Sequence, residues 1–166
     1  MKRILKHLLF ITLIFATLLS AVSCGDGMKK YHENGLHFSL PKDMRKLSVN
    51  YADLCYGNDD FTQFFIYFYS KDSLLTDLAL EKDSTVKEYA DWFVGMNGYT
   101  GVEENYDAEN KIIVLKYVYE DEADFYCDYI TRNEHALFHV TMCCKEELRE
   151  KYEPMFDDWM KLISVD

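Results

Sequence analysis

One ten-residue segment constrains this chain more than any other: Phe-Thr-Gln-Phe-Phe-Ile-Tyr-Phe-Tyr-Ser, residues 61–70. Aromatic and β-branched residues suit a pleated, half-buried surface. Successive strand residues point to opposite faces. Phe64, Ile66 and Phe68 therefore share one face, and Phe65, Tyr67 and Tyr69 share the other. Both faces are apolar or aromatic, which predicts a central strand covered on its two sides. A sheet with one solvated face is excluded.

The rest of the chain supplies elements to do that covering. Residues 35–41 (Gly-Leu-His-Phe-Ser-Leu-Pro) alternate as a strand closed by Pro41, 42–47 read as a turn, and 51–56 as a second strand ended by Gly57-Asn58-Asp59-Asp60. Over 84–97, Val86, Tyr89, Ala90, Phe93 and Met96 recur at helical spacing. Asp83 or Ser84 is expected to cap that helix and Gly98 to stop it. A short helical turn is expected within 73–80, and strands at 112–120, 123–132 and 136–144, with a weaker one near 102–106.

If Asn133-Glu134 is a two-residue turn, Cys127 faces Val140, Phe125 faces Met142 and Tyr129 faces Phe138. Cross-strand partners share a face, so this register gathers an apolar set. The opposite side, with Asp124, Tyr126, Asp128, Ile130, Leu137, His139 and Thr141, is mixed. Over 145–164, Leu148, Tyr152, Met155, Phe156, Trp159 and Ile163 make a helical stripe. Pro154 lacks an amide and clashes with the preceding turn, so a short helix to Tyr152 and a second one from Pro154 are expected. The reading is an α+β domain, an antiparallel sheet covered by helices on both faces.

The N-terminus carries a different kind of signal. Lys2, Arg3 and Lys6 precede an apolar run from Leu8 to Leu19, then the small residues Ser20, Ala21 and Ser23. That three-part anatomy is a secretory signal peptide. Its apolar run is short for a permanent span, which needs about 20 residues. Ala21-Val22-Ser23-Cys24 resembles the bacterial lipobox. The resemblance implies cleavage between Ser23 and Cys24, with lipid on Cys24 holding the protein to an extracytoplasmic membrane face, in the cell membrane or envelope. Two or more acyl chains make such an anchor stable. The alternatives are an ordinary secreted protein or an uncleaved N-terminal anchor. The expected division is a signal over 1–23, a lipidated tether over 24–30 and a single domain over 31–166.

The first 23 residues hold three of the 18 Lys and Arg and none of the 29 acids, so the remainder has a formal charge of −14. Nucleic-acid backbones are bound by clustered cations, and anionic head groups likewise. Neither is an expected partner of this domain; the membrane enters only through the lipid. Charge of this sign also serves solubility without selecting any partner. Four cysteines follow Cys24: Cys55, Cys127, Cys143 and Cys144. Adjacent strand residues face opposite ways, so Cys143 and Cys144 are expected to pack separately as small hydrophobes. A bridge from Cys55 to one of the other three is the alternative.

The order strand pair, central strand, helix, antiparallel strands and C-terminal helix resembles the PsbP-like superfamily. The segment 35–41 opens the pattern and Phe-Asp-Asp-Trp-Met-Lys-Leu-Ile-Ser, 156–164, closes it. The resemblance implies an α/β/α sandwich around an antiparallel sheet. It also implies a mostly non-enzymatic role through protein partners, as in photosystem extrinsic proteins, a nuclear Ran-binding factor and many bacterial lipoproteins. It carries no functional residue over, because no motif position is shared.

No catalytic constellation is legible. His135 and His139 are four apart, which on a strand separates them by roughly 13 Å, so no shared metal ion is expected. Neither His-Glu-x-x-His nor Cys-x-x-Cys occurs, and there is no Asp-x-Asp-x-Asp-Gly loop or Gly-x-Ser-x-Gly elbow. No cofactor is implied. The 13 tyrosines stand out, and Tyr67, Tyr69, Tyr117, Tyr119 and Tyr126 are expected to line one sheet face. Tyrosine supplies rigid contact area with a polar handle, which favours interfaces. The leading expectation is a non-catalytic module that binds a protein or envelope component through an exposed aromatic patch and has no deep polar pocket. A small-ligand-binding lipoprotein comes second, with an apolar cavity and a few convergent polar groups. A hydrolytic enzyme comes third.

Overall fold

The computed structural model describes residues 27–60, 62–119 and 122–166. Ser23, Cys24 and the signal segment 1–23 lie outside the described residues, as do residues 25 and 26 of the expected tether. Among the described residues, ten strands and three α-helices follow in chain order: β1 (Met28–Glu33), β2 (Leu36–Pro41), β3 (Arg45–Leu47), β4 (Leu54–Gly57), β5 (Gln63–Ser70), α1 (Lys71–Leu78), α2 (Val86–Asn97), β6 (Glu103–Asp107), β7 (Ile112–Tyr119), β8 (Asp124–Arg132), β9 (Ala136–Lys145), α3 (Arg149–Met160) and β10 (Ser164–Val165). A single 3-10 turn, Glu146–Leu148, leads into α3.

Seven strands form one antiparallel sheet in the order β3-β4-β5-β9-β8-β7-β6, and β1, β2 and β10 form a small second sheet. The small sheet and α3 cover one face of the large sheet. There Phe38, Phe64, Ile66, Phe125, Cys127, Phe138, Val140, Met142, Phe156 and Trp159 make the main core. Helices α1 and α2 cover part of the other face, where Leu74, Val86, Tyr89 and Ala90 pack on Ile113, Leu115, Ile130 and Leu137. The aromatic segment is a strand with core on both sides, and helices lie on both faces of the large sheet.

Several local expectations need correction. Strand β1 starts at Met28, inside the stretch read as tether, because Asn34 and Gly35, with φ of 52° and 84°, form the two-residue turn of a hairpin. Residues 45–47 pair as a short strand instead of turning, and β4 begins at Leu54 instead of Tyr51. Cys127 pairs with Met142, Phe125 with Cys144 and Tyr129 with Val140, two residues from the expected register. Asn133 causes the shift: its side-chain oxygen accepts from the amides of His135 and Ala136 at 2.8 and 2.9 Å, making a longer loop. A shift of two preserves which face each residue occupies.

Pro154 does not break the C-terminal helix, which runs unbroken across it. The carbonyl that its missing amide would have engaged belongs to Glu150, an exposed residue, so the lost bond faces solvent-accessible backbone and not the core. Met96 is 70% exposed and leaves the apolar stripe of α2. The cap of α2 is Thr85. Its hydroxyl accepts from the Glu88 amide at 3.1 Å, and the Glu88 carboxylate accepts from the Thr85 amide at 2.7 Å, a reciprocal capping box. Thr85→Ala is expected to lower stability by about 0.5–2 kcal/mol, read as a shifted urea midpoint. The Thr85 amide holds the Glu88 carboxyl below its usual value. That contribution is present at neutral pH and lost as pH falls through the lowered value.

The four described cysteines are free and buried. Cys143 packs with Cys55 and Phe65, and Cys144 joins the main core on the opposite face. Burial pushes the Cys127 and Cys143 thiols up, and Cys144 up to about 11.

A candidate binding cleft

Helices α1 and α2 do not reach across the whole sheet. Beyond Phe93 the face of β5, β9, β8 and β7 opens into a cleft of about 670 Å³. Register explains its contents. Tyr67 of β5 sits opposite His139 of β9, and Phe65 opposite Thr141. Thr141 is also opposite Asp128 of β8, and Tyr126 of β8 is opposite Tyr117 of β7. Cross-strand partners share a face. All five tyrosines expected on one face, Tyr67, Tyr69, Tyr117, Tyr119 and Tyr126, line this one cleft.

Residues outside that set complete the walls. Trp92 and Phe93 come from α2, Tyr51 from the segment before β4, and Tyr99 from the turn after α2. Gly98 takes φ of 65°, a conformation that costs glycine little, and this reverses the chain. Tyr99 then lies on Tyr117 at 4.4 Å between ring centroids, and Tyr117 stacks on Tyr126 at 5.4 Å. One wall is thus a three-ring stack.

The floor is polar and buried. Asp128 is wholly buried, His139 is 2% exposed and Thr141 6%. Thr141 Oγ1 donates to Asp128 Oδ1 at 2.6 Å, and Tyr117 Oη donates to Asp128 Oδ2 at 2.9 Å. His139 Nε2 lies 3.2 Å from both Asp128 Oδ1 and Thr141 Oγ1, while Nδ1 meets Tyr89 Oη at 2.9 Å. Thr141 commits its proton to Asp128, so Nε2 supplies the proton of its own contact with this pair. Phe93 packs edge-on against the imidazole at 4.7 Å.

A hydroxyl, an imidazole and a carboxylate are therefore in contact, but not as a relay. In a nucleophilic triad the acid orients one ring nitrogen while the hydroxyl uses the other. Here acid and hydroxyl share Nε2, and the hydroxyl gives its proton to the acid. Burial holds the Tyr67, Tyr89, Tyr117 and Tyr126 hydroxyls well above the usual phenol range, so these walls stay uncharged. Glu122 and Asp124 stand at the rim, Asp124 paired with Lys145 at 2.7 Å. No lysine or arginine lines the cleft among the described residues.

A groove of about 770 Å³ lies between the β6–β7 edge and α3. Its Lys116 is held at 3.0 Å by Glu153 and 2.7 Å by Asp157, so its central charge is already matched. The tyrosine cleft is the stronger candidate because its polar groups are buried and converge.

No family model and no curated protein matches the chain. Among solved structures, cyanobacterial PsbP (CyanoP) from Synechocystis sp. PCC 6803 matches 89% of this chain and 99% of its own, with a TM-score of 0.58 and 15% identity. The fold is PsbP-like. A protein of unknown function from Pseudomonas aeruginosa, PA94, described as a putative regulator, matches 85% of this chain and 99% of its own at a TM-score of 0.45 and 11% identity. At 15% identity the likeness to the cyanobacterial protein speaks for architecture alone, since function resides in sites and not in folds. The small β1-β2-β10 sheet and α3 on one side, and α1 and α2 on the other, are how this PsbP-like sandwich covers its large sheet.

Proposed function

We propose that this protein is a non-catalytic binding protein, tethered outside the cytoplasm by lipid on Cys24, whose tyrosine cleft holds a small neutral or cationic organic molecule. One observation carries the reading: aromatic walls converge on a buried polar floor inside a concavity. Ligand sites have this form, largely apolar with a few fixed polar groups. A protein-docking patch would present its rings on an open surface. Among the described residues the other large apolar side chains most exposed, Leu47, Leu75, Met96, Tyr106 and Leu162, lie on different segments of the chain.

The ligand's charge follows from the lining. Walls of neutral phenols with acids at the rim attract cations through ring faces and repel anions. The test is a panel of small ring compounds, matched in size and differing in charge, screened by saturation-transfer NMR against the purified protein. Neutral or cationic members are expected to bind, and Tyr67→Ala and Tyr99→Ala each to weaken them. Loss of one stacking face costs about 0.5–1.5 kcal/mol, about 2- to 12-fold in affinity. Selective binding of anions, or binding indifferent to both substitutions, defeats the proposal.

A further inference from the structure

A second cluster lies on the small sheet, away from the cleft. His32 of β1 and His37 of β2 are the second cross-strand pair from the Asn34-Gly35 turn. Their rings stack face to face, with centroids 4.2 Å apart and planes within 5°. Strand β10 pairs with the other side of β2, Ser164 opposite His37, so the chain delivers Asp166 to the same face. The Asp166 backbone is held twice. Its amide donates to the Gly35 carbonyl at 3.0 Å, and Asn133 Nδ2 donates to its carbonyl at 3.2 Å. Its carboxylate then reaches both rings, Oδ2 at 3.2 Å from His32 Nε2 and Oδ1 at 2.7 Å from His37 Nε2.

We propose that His32, His37 and Asp166 bind one divalent transition-metal ion of the zinc class. The three donor atoms lie within 4.8 Å of one another. Nitrogen and oxygen ligands sit about 2.0–2.2 Å from zinc, so two donors on one tetrahedral ion stand about 3.4 Å apart. A metal ion lies in the plane of each imidazole that ligates it, so the two parallel rings would have to rotate apart about their side-chain bonds to converge on it. Imidazole and carboxylate donors suit zinc, nickel and copper ions. Two histidines and one acid leave a fourth position for water, and the side chains, 56%, 43% and 62% exposed, leave room for it. A carboxylate accepting from two imidazoles is the competing account of the same contacts. The bound ion would clasp the last strand to the first hairpin and raise thermal stability.

Zinc is titrated calorimetrically into the tag-free protein, and histidine ring signals are followed by NMR. One equivalent is expected to bind, shifting the His32 and His37 rings while His135 and His139 stay unmoved. Even an outer-shell partner is worth about 10–100-fold in metal affinity, so His32→Gln, His37→Gln and Asp166→Asn should each cost at least about tenfold. All three positions are exposed, and circular dichroism checks that each variant folds. No binding at millimolar zinc, or binding that survives all three substitutions, overturns the site. Neither result bears on the tyrosine cleft.

Discussion

Asp128→Ala is expected to destabilise the domain by about 3–5 kcal/mol, the cost of removing one partner from a buried charged or hydrogen-bonded set. The wholly buried carboxylate accepts from Tyr117 and Thr141 and meets His139 Nε2. Alanine would leave two hydroxyls and an imidazole in an aromatic enclosure without an acceptor. Each orphaned group costs about 1–3 kcal/mol. Domains of this size are stable by about 5–15 kcal/mol, so a large share of the total is at stake. Asp128→Asn keeps the shape but turns one acceptor into a donor facing a hydroxyl proton, and should fall in between. Urea denaturation of the three proteins gives the comparison. A loss below about 1 kcal/mol for the alanine variant would mean that the floor of the cleft is wet and not enclosed.

Phe156→Ala is expected to cost a similar amount, about 3–5 kcal/mol, for a different reason. Phe156 is fully buried beneath α3, stacked on Phe125 at 6.4 Å and packed against Tyr152 at 6.0 Å and Trp159 at 5.6 Å. Its removal opens a cavity between α3 and the sheet that neighbouring rings cannot fill. Met96→Ala is the control. On the sequence pattern Met96 belongs to the apolar face of α2, yet it is 70% exposed, so its loss should change stability by no more than about 0.5 kcal/mol. Equal effects at Met96 and Phe156 would mean that the helix faces are assigned wrongly.

What the residues reveal in advance divides along physical lines. The two-sided sheet was legible because β5 carries apolar or aromatic residues on both of its faces, while β8 and β9 gather an apolar set on one of theirs. The register between β8 and β9 was legible only in parity. A slip of two keeps every side chain on its face, so hydrophobic pattern cannot see it, and the side-chain bonds of Asn133 decide it. The unbroken course of α3 through Pro154 rests on packing of Tyr152, Phe156 and Trp159, which outweighs one lost backbone bond. The hairpin containing His32 and His37 had its turn signal in Asn34-Gly35, but Lys29 and Lys30 gave the preceding segment the look of a solvated tether.

The cleft was legible in part. Alternation brought the five tyrosines to one face, but nothing local to them fixes how far α2 extends or that Tyr99 folds back onto Tyr117. The floor had a signal that was passed over. Asp128, His139 and Thr141 fall on interior strands among apolar neighbours, and a polar residue at a buried position is more informative than any exposed one.

The most direct measurement of the central claim is native mass spectrometry of the protein, gently extracted from the cell that makes it. A cleft built for a small molecule predicts a bound species of low mass near one equivalent, released on unfolding and depleted in Tyr67→Ala and Tyr99→Ala proteins. A protein that emerges at its own mass with nothing bound, and that co-purifies with a macromolecule whose attachment requires those tyrosines, would contradict it.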